Sequence, residues 1–193
     1  MQLRTTATAT EDDKRFMKVA YEEARKGYEE GGIPIGAVLV SSTGEILGQG
    51  HNLRIQNSSP ILHVPSPPNI YIYIYSIHPT PKTPTNHTTQ AEISTLQSAG
   101  RLPASKYANT TMYTTLSPCS MCTGAILLYK ISRVVIGENR TFMGSEDWLG
   151  VKGVEVVVLD DEGCRELMER FVRERPGDWG EDIGEEGGEG CGC

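Results

Sequence analysis

Two thiols three residues apart, Cys119 and Cys122 in Ser117-Pro-Cys-Ser-Met-Cys122, are the part of this 193-residue sequence best suited to chemistry. Pro118 suits a first helical turn, and thiols at this spacing on a helix N-terminus share one face, where unpaired N–H groups and the helix dipole favour the thiolate. A soft divalent metal needs such a pair. Zinc takes four ligands, so two cysteines demand at least one more protein ligand, and three with an open fourth position make a site catalytic. The pair also fits a redox dithiol, or half of a structural site completed by Cys191 and Cys193. Five cysteines without a secretory signal do not suggest a disulfide framework, and the chain reads as cytoplasmic, with the nucleus also open to it.

The elements that must position these thiols can be traced by periodicity. From Glu11 to Gly31, Phe16, Ala20 and Ala24 with Met17, Tyr21 and Tyr28 recur at three- and four-residue spacing and predict a helix ended by Gly31-Gly32. Residues 35–40 and 45–48, around Ser41-Ser-Thr-Gly44, predict a hairpin. A short helix over 91–99, a strand over 111–115, a helix over 118–129 and strands over 134–136 and 154–158 follow. A final helix over 162–174 carries Cys164 on its core-facing stripe and stops before Pro176. Strands alternating with helices imply an α/β fold with a sheet covered on both faces. Residues 1–10 read as a flexible N-terminus and 185–193 as a disordered acidic, Gly-rich tail.

One stretch is foreign to the rest. Residues 64–90 hold six of the 11 prolines, three of the eight tyrosines and the single charge Lys82, a composition that predicts a disordered insert. Charge is uneven too. Of the net charge of −7, six units fall in residues 174–193, so the body is nearly neutral and lacks the basic footprint of a nucleic-acid binder. No apolar run approaches the roughly 20 residues that span a bilayer, so no membrane partner is expected.

Zinc deaminases of nucleobases carry H-x-E followed by P-C-x-x-C, with the glutamate moving protons rather than binding metal. Pro118-Cys-Ser-Met-Cys122 is the second half; Leu62-His63 stands just before the foreign stretch and Ala91-Glu92 just after it. Joined across 64–90 they read His-Ala-Glu, whereas in the chain as it stands Gln90 fills the position two before Glu92. Val codons begin GT and a Gln codon can be CAG, so an in-frame segment that splits this motif reads as a retained intron.

With that segment set aside, the chain resembles the fungal cytosine deaminases, of the cytidine/deoxycytidylate deaminase superfamily, along nearly its whole length. Ala20-Tyr-Glu-Glu-Ala24, Gly31-Gly-Ile-Pro-Ile-Gly36, Gly50-His-Asn-Leu-Arg54, Ala91-Glu-Ile-Ser-Thr-Leu96, Tyr113 to Ile126, Gly137-Glu-Asn139 and Arg175 to Gly184 carry the resemblance, in order. It implies a three-layer α/β/α fold with a mixed five-stranded sheet between helices, a deaminase domain over 11–184 interrupted by 64–90, and a homodimer. It also implies hydrolysis of cytosine to uracil and ammonia in pyrimidine salvage, with 5-substituted cytosines as further substrates. By the same resemblance His63, Cys119 and Cys122 bind one zinc per chain, which lowers the pKa of water to about 7, and Glu92 moves the protons. Asn52, Asp182 and the Ala91 backbone meet the pyrimidine edge, and Ile35, Phe142 and Trp179 enclose the ring. The C-terminal segment folds over the site and extends the ordered chain to near Gly184.

Other readings accompany each assignment. His87 is a second candidate for the third ligand; His51 and His78 are not expected to bind metal. Glu92 with Thr89 forms a possible capping box, Asn52 can shape a loop, Phe142 and Trp179 can be core residues, and Asp182 can be one charge of a solvated tail. The alternatives in function are a nucleoside, guanine or tRNA-adenosine deaminase of the same superfamily, or a zinc-binding scaffold impaired by the insert.

Overall fold

Thr10 and Asp13 open the first helix by exchanging hydrogen bonds. The Thr10 N–H donates to Asp13 Oδ2 (2.8 Å) and the Asp13 N–H to Thr10 Oγ1 (3.1 Å), a capping box that satisfies two donors at once. The structure is a computed structural model that describes residues 8–57 and 90–184. The chain then runs α1 (Glu11–Glu29), β1 (Gly36–Ser41), β2 (Ile46–His51) and α2 (Arg54–Asn57). After residues 58–89 come α3 (Ala91–Ala99), α4 (Ala104–Tyr107), β3 (Thr110–Leu116), α5 (Ser120–Leu128) and β4 (Arg133–Glu138). The rest is α6 (Glu146–Val151), β5 (Glu155–Val158), α7 (Glu162–Glu174) and α8 (Pro176–Ile183).

Among the described residues the strands form one five-stranded sheet in the order β2-β1-β3-β4-β5. β1 runs antiparallel to both β2 and β3, while β3, β4 and β5 are parallel. Parallel neighbours require crossovers, supplied here by α5 and α6. Alternation along the strands divides the core. Ala37, Leu39, Met112, Val134 and Ile136 pack with Leu96, Ile126 and Leu149 of α3, α5 and α6. Val38, Val40, Tyr113, Val135 and Val157 pack with Phe16, Met17 and Ala20 of α1 and with Cys164 of α7. The fold is therefore the expected α/β/α arrangement around a mixed sheet, whose central strands read as continuous apolar runs because both faces are covered.

Two contacts seat α3, the helix that carries Glu92. A Cβ on Gly48 of β2 would stand 2.5 Å from the Thr95 carbonyl oxygen, so glycine there lets the helix lie directly on the strand. Thr95 Oγ1 then donates to the Ala37 carbonyl of β1 at 2.9 Å in the interior.

The structure differs from the sequence expectations at several ends. α5 begins at Ser120 with Cys119 as its N-cap, so Pro118 precedes the helix instead of opening it. Gln90 is the N-cap of α3, which places Glu92 at the second helical position, one short of what a Thr89–Glu92 capping box requires. The short helices α2, α4 and α6 were not predicted, because four to six residues hold too little periodicity to read. α8 follows α7 directly: Pro176 sits in its first turn, where a missing N–H is harmless, and buried Trp179 anchors it. Of 64–90 only Gln90 is described, as the N-cap of α3; the expectations for 64–89, for the tail 185–193, for most of 1–10 and for His63, His78 and His87 lie outside the described residues.

Buried charges tie α1 to the sheet. Arg133 at the start of β4 donates through Nη1 and Nη2 to the Asp13 carboxylate (2.6 and 3.0 Å), and the Tyr113 hydroxyl donates to Asp13 Oδ1 (3.1 Å). Burial alone would raise the Asp13 pKa, but Arg133 and the Thr10 donors outweigh it and hold the carboxyl below its ordinary range. At the other end, His51 lies between Glu23 Oε2 (3.1 Å from Nδ1) and Glu30 Oε2 (3.0 Å from Nε2). The Glu23 contact, against the opposing effect of burial, and then Glu30 raise its pKa. His51 is thus a structural link between α1 and β2.

Asp13→Asn should cost about 3 kcal/mol of unfolding free energy at pH 7, because it leaves Arg133 without its buried partner. A folded-state pKa below the unfolded one gives stability that is present above the unfolded value and lost as pH falls toward the folded one. Denaturant unfolding should therefore show the gap between variant and wild type narrowing below about pH 4.

Candidate functional site

β3 ends in the middle of the sheet, and Ser117-Pro118 turns the chain so that Cys119 caps α5 and Cys122 lies in its first turn. This is the carboxyl end of the parallel strands, where open α/β sheets leave a crevice. Because β1 runs the other way, Ile35 just before it and Asn52 just after β2 reach the same edge, tied by an Asn52 N–H bond to the Ile35 carbonyl (2.8 Å). The turn is braced from below. Ser117 Oγ donates to buried Glu146 Oε1 (2.7 Å) and accepts from the Gly144 N–H (2.9 Å), while Asn139 Nδ2 donates to Glu146 Oε2 (3.2 Å). Any side chain on Gly144 would strike the Pro118 carbonyl, so glycine there lets the loop that carries Phe142 lie on the cysteine turn.

The N-terminus of α3 faces that of α5. Gln90 Oε1 lies 2.8 Å from Cys122 Sγ and 3.2 Å from Cys119 Sγ. Glu92, on the same helical turn, is buried, and Thr114 Oγ1 lies 3.3 Å from its Oε1 as a donor. Burial, and then the charge at Cys119, push the Glu92 carboxyl up to about 7. The thiols move apart: hydrogen bonding from Cys122, together with backbone N–H groups of α5, lowers Cys119 to about 6, against burial. Cys122 is held up by its neighbour and by burial. A divalent cation reverses that split, since a coordinated thiol is deprotonated outright.

The two sulfurs fit two corners of a zinc site. Among the described residues no group of three or more His, Cys, Asp or Glu side chains completes one. His63 and His87, the imidazoles expected as candidates for the third corner, lie outside them. Cys164, by contrast, is buried in the core under α1, and burial pushes its thiol upward, so it takes no part here.

Every other predicted site residue comes to one cavity of about 460 Å³. Cys119, Cys122, Ala91 and Glu92 line its inner end. Ile35, Phe142 and Trp179 form apolar walls, the two aromatic rings meeting edge to face with centroids 5.9 Å apart. Asn52 and Asp182 bring polar groups. Asn52 Oδ1 accepts from the Arg54 N–H (2.9 Å), so the loop-shaping alternative for this residue is also realised.

Arg54 and Gln90 line the cavity without having been predicted to act there. Arg54 Nη1 donates to the Asp182 carbonyl (2.7 Å) and pairs with its carboxylate, which fastens α8 over the site. Burial raises the Asp182 pKa and the guanidinium offsets part of that rise. No local pattern could have found this pair across 128 residues. For Gln90 the signal was its place two before Glu92.

The model of the cytidine and deoxycytidylate deaminase zinc-binding region matches residues 10–138. The cytosine deaminase of Candida albicans is 50% identical over 176 residues, which covers 91% of this chain and 99% of that protein. A tRNA-specific adenosine deaminase of Bacillus subtilis is 34% identical over 172 residues, 84% of this chain and 89% of the relative. Among solved structures, a guanine deaminase from Nitrosomonas europaea shares the fold at 19% identity with a TM-score of 0.54, covering 84% of this chain and 85% of that one.

Arg54→Ala should release α8 while leaving the sheet intact. Losing a charged hydrogen bond lowers the local opening free energy by about 2 kcal/mol, so hydrogen exchange at Trp179 and its neighbours should quicken roughly thirtyfold, with the β3 amides unchanged.

Proposed function

Because the chain belongs to the cytidine and deoxycytidylate deaminase family, we propose that it is a zinc-dependent hydrolase that converts cytosine to uracil and ammonia. The observation that carries this reading is the juxtaposition of a buried carboxyl near pKa 7, Glu92, with two thiols at the inner end of a cavity whose walls suit one flat ring. Identity of 50% over nearly the whole Candida albicans protein favours cytosine over the purine substrates of the more distant relatives. The nearly neutral body also favours a small base over a tRNA.

Cys119 and Cys122, with a third protein donor, would hold one zinc per chain, which would make a water acidic enough to attack at neutral pH. Glu92 would accept a proton from the attacking water and pass it to the ring nitrogen beside the reacting carbon; it would then take the second proton from the hydroxyl now on that carbon and deliver it to the amino group, which leaves as ammonia as the carbonyl forms. A buried carboxyl whose pKa is raised by desolvation is suited to give and to take. Thr114 Oγ1 orients it. Asn52 has its oxygen engaged by Arg54, so its Nδ2 is the group that donates to the base edge; Asp182 meets that edge as an acceptor, with the Ala91 backbone nearby. Phe142 and Trp179 clamp the ring against Ile35 and exclude bulk water.

The activity belongs to pyrimidine salvage in the cytoplasm, and 5-substituted cytosines are further substrates. No described helix is long and apolar enough to cross a membrane. A homodimer is supported by Leu128 (75% exposed), Tyr129, Trp148 and Val151, large apolar side chains exposed on or beside α5 and α6.

Cytosine-dependent ammonia release, with zinc content measured in parallel, tests the reading on the full chain and on a chain lacking 64–90, in which His63 joins Ala91. Both should release ammonia at saturating zinc, the shortened chain at lower zinc. Glu92→Gln should keep the metal and lower kcat by about a thousandfold. Bound zinc without ammonia in either chain removes cytosine as the substrate, and ammonia from guanine or adenosine instead reassigns it.

A further inference from the structure

The point on which the two thiols converge is held by a side chain with no assigned role. Gln90 Oε1 lies 2.8 Å from Cys122 Sγ and 3.2 Å from Cys119 Sγ, so one oxygen addresses both sulfurs. Its backbone is fixed as the N-cap of α3, with φ −101°, ψ 150° and its carbonyl accepting from the Ser94 N–H at 2.8 Å. The side chain makes no capping hydrogen bond, so glutamine does not serve the helix here. Glu92 follows two residues on and faces the same cavity, which gives a Gln-x-Glu at the spacing of the zinc deaminases' His-x-Glu. Zinc–sulfur and zinc–oxygen bonds of about 2.3 and 2.1 Å at tetrahedral angles set sulfur and oxygen about 3.6 Å apart. Each sulfur–oxygen pair thus needs to spread by less than about 1 Å to reach ligand spacing.

We infer that position 90 is the third corner of the metal centre in this chain, held by the Gln90 amide oxygen and not by the imidazole of His63 or His87. The inference rests on the reading of Cys119 and Cys122 as zinc ligands, but it concerns the donor set and is independent of the substrate. An imidazole arriving from elsewhere must first displace the amide from both sulfurs. An uncharged amide oxygen is a hard, weak donor to zinc, which prefers thiolate and imidazole. The centre is accordingly built with its weakest donor at the position that should be strongest.

The test is zinc affinity by competition with a chromogenic chelator, and the visible absorption of the Co(II)-loaded protein, on the full chain, on Gln90→His and on the double variant His63→Ala/His87→Ala. Circular dichroism establishes that each is folded. Gln90→His should tighten zinc by more than the about tenfold that even an outer hydrogen-bond partner of a ligand is worth. It should also shift the Co(II) bands toward a sulfur–nitrogen donor set. The double histidine variant should keep wild-type affinity and spectrum. Loss of zinc from the double variant overturns the inference, and so does an unchanged affinity in folded Gln90→His. Neither readout involves cytosine, so failure of the substrate assignment and failure of this inference remain distinguishable.

Discussion

The site depends on one arrangement: the N-termini of two helices, α3 and α5, meeting at the end of the central strand β3. Each brings unpaired backbone donors and a positive dipole end to the same place, and such an end favours thiolate over thiol. Close packing of α3 on the sheet supports this meeting. Gly48 removes the side chain that would lift the helix, and Thr95 binds the β1 backbone beneath it. From that seat Gln90 and Glu92 face Cys119 and Cys122.

The electrostatics follow from burial around this meeting point. A buried carboxyl and two close thiols cannot all ionise without a compensating cation, so Glu92 rises toward neutrality and the thiols divide into one lowered and one raised. This is the environment in which a carboxyl becomes both proton donor and acceptor. The same groups serve metal binding and proton movement in the proposed function because each resolves the other's charge.

The rest of the cavity is contributed by distant parts of the chain. Antiparallel β1 turns the hairpin's open end toward the cysteines and supplies Ile35 and Asn52. α8 comes from the far end and is fastened by Arg54, so that Trp179 meets Phe142 across the opening. Beneath them, Asp13 couples α1, β3 and β4 through Arg133 and Tyr113. The walls are thus as firm as a few buried polar links between elements remote in sequence.

The sequence by itself determined the thiol pair, the glutamate, and the strands and long helices around them, because these are local: spacing, periodicity and apolar runs are properties of neighbouring residues. It also marked Gln90 as standing where a histidine belongs. Only the tertiary structure decided that Gln90 turns away from its own helix toward the sulfurs, that Arg54 finds Asp182, and that Asp13, outwardly one more acid in a first turn, is the buried partner of Arg133. Those pairings join residues 29, 128 and 120 positions apart, and an ion pair or hydrogen bond leaves no periodic trace in sequence. The short helices α2, α4 and α6 were illegible for a related reason, since one or two turns are stabilised by what they pack against rather than by their own propensity.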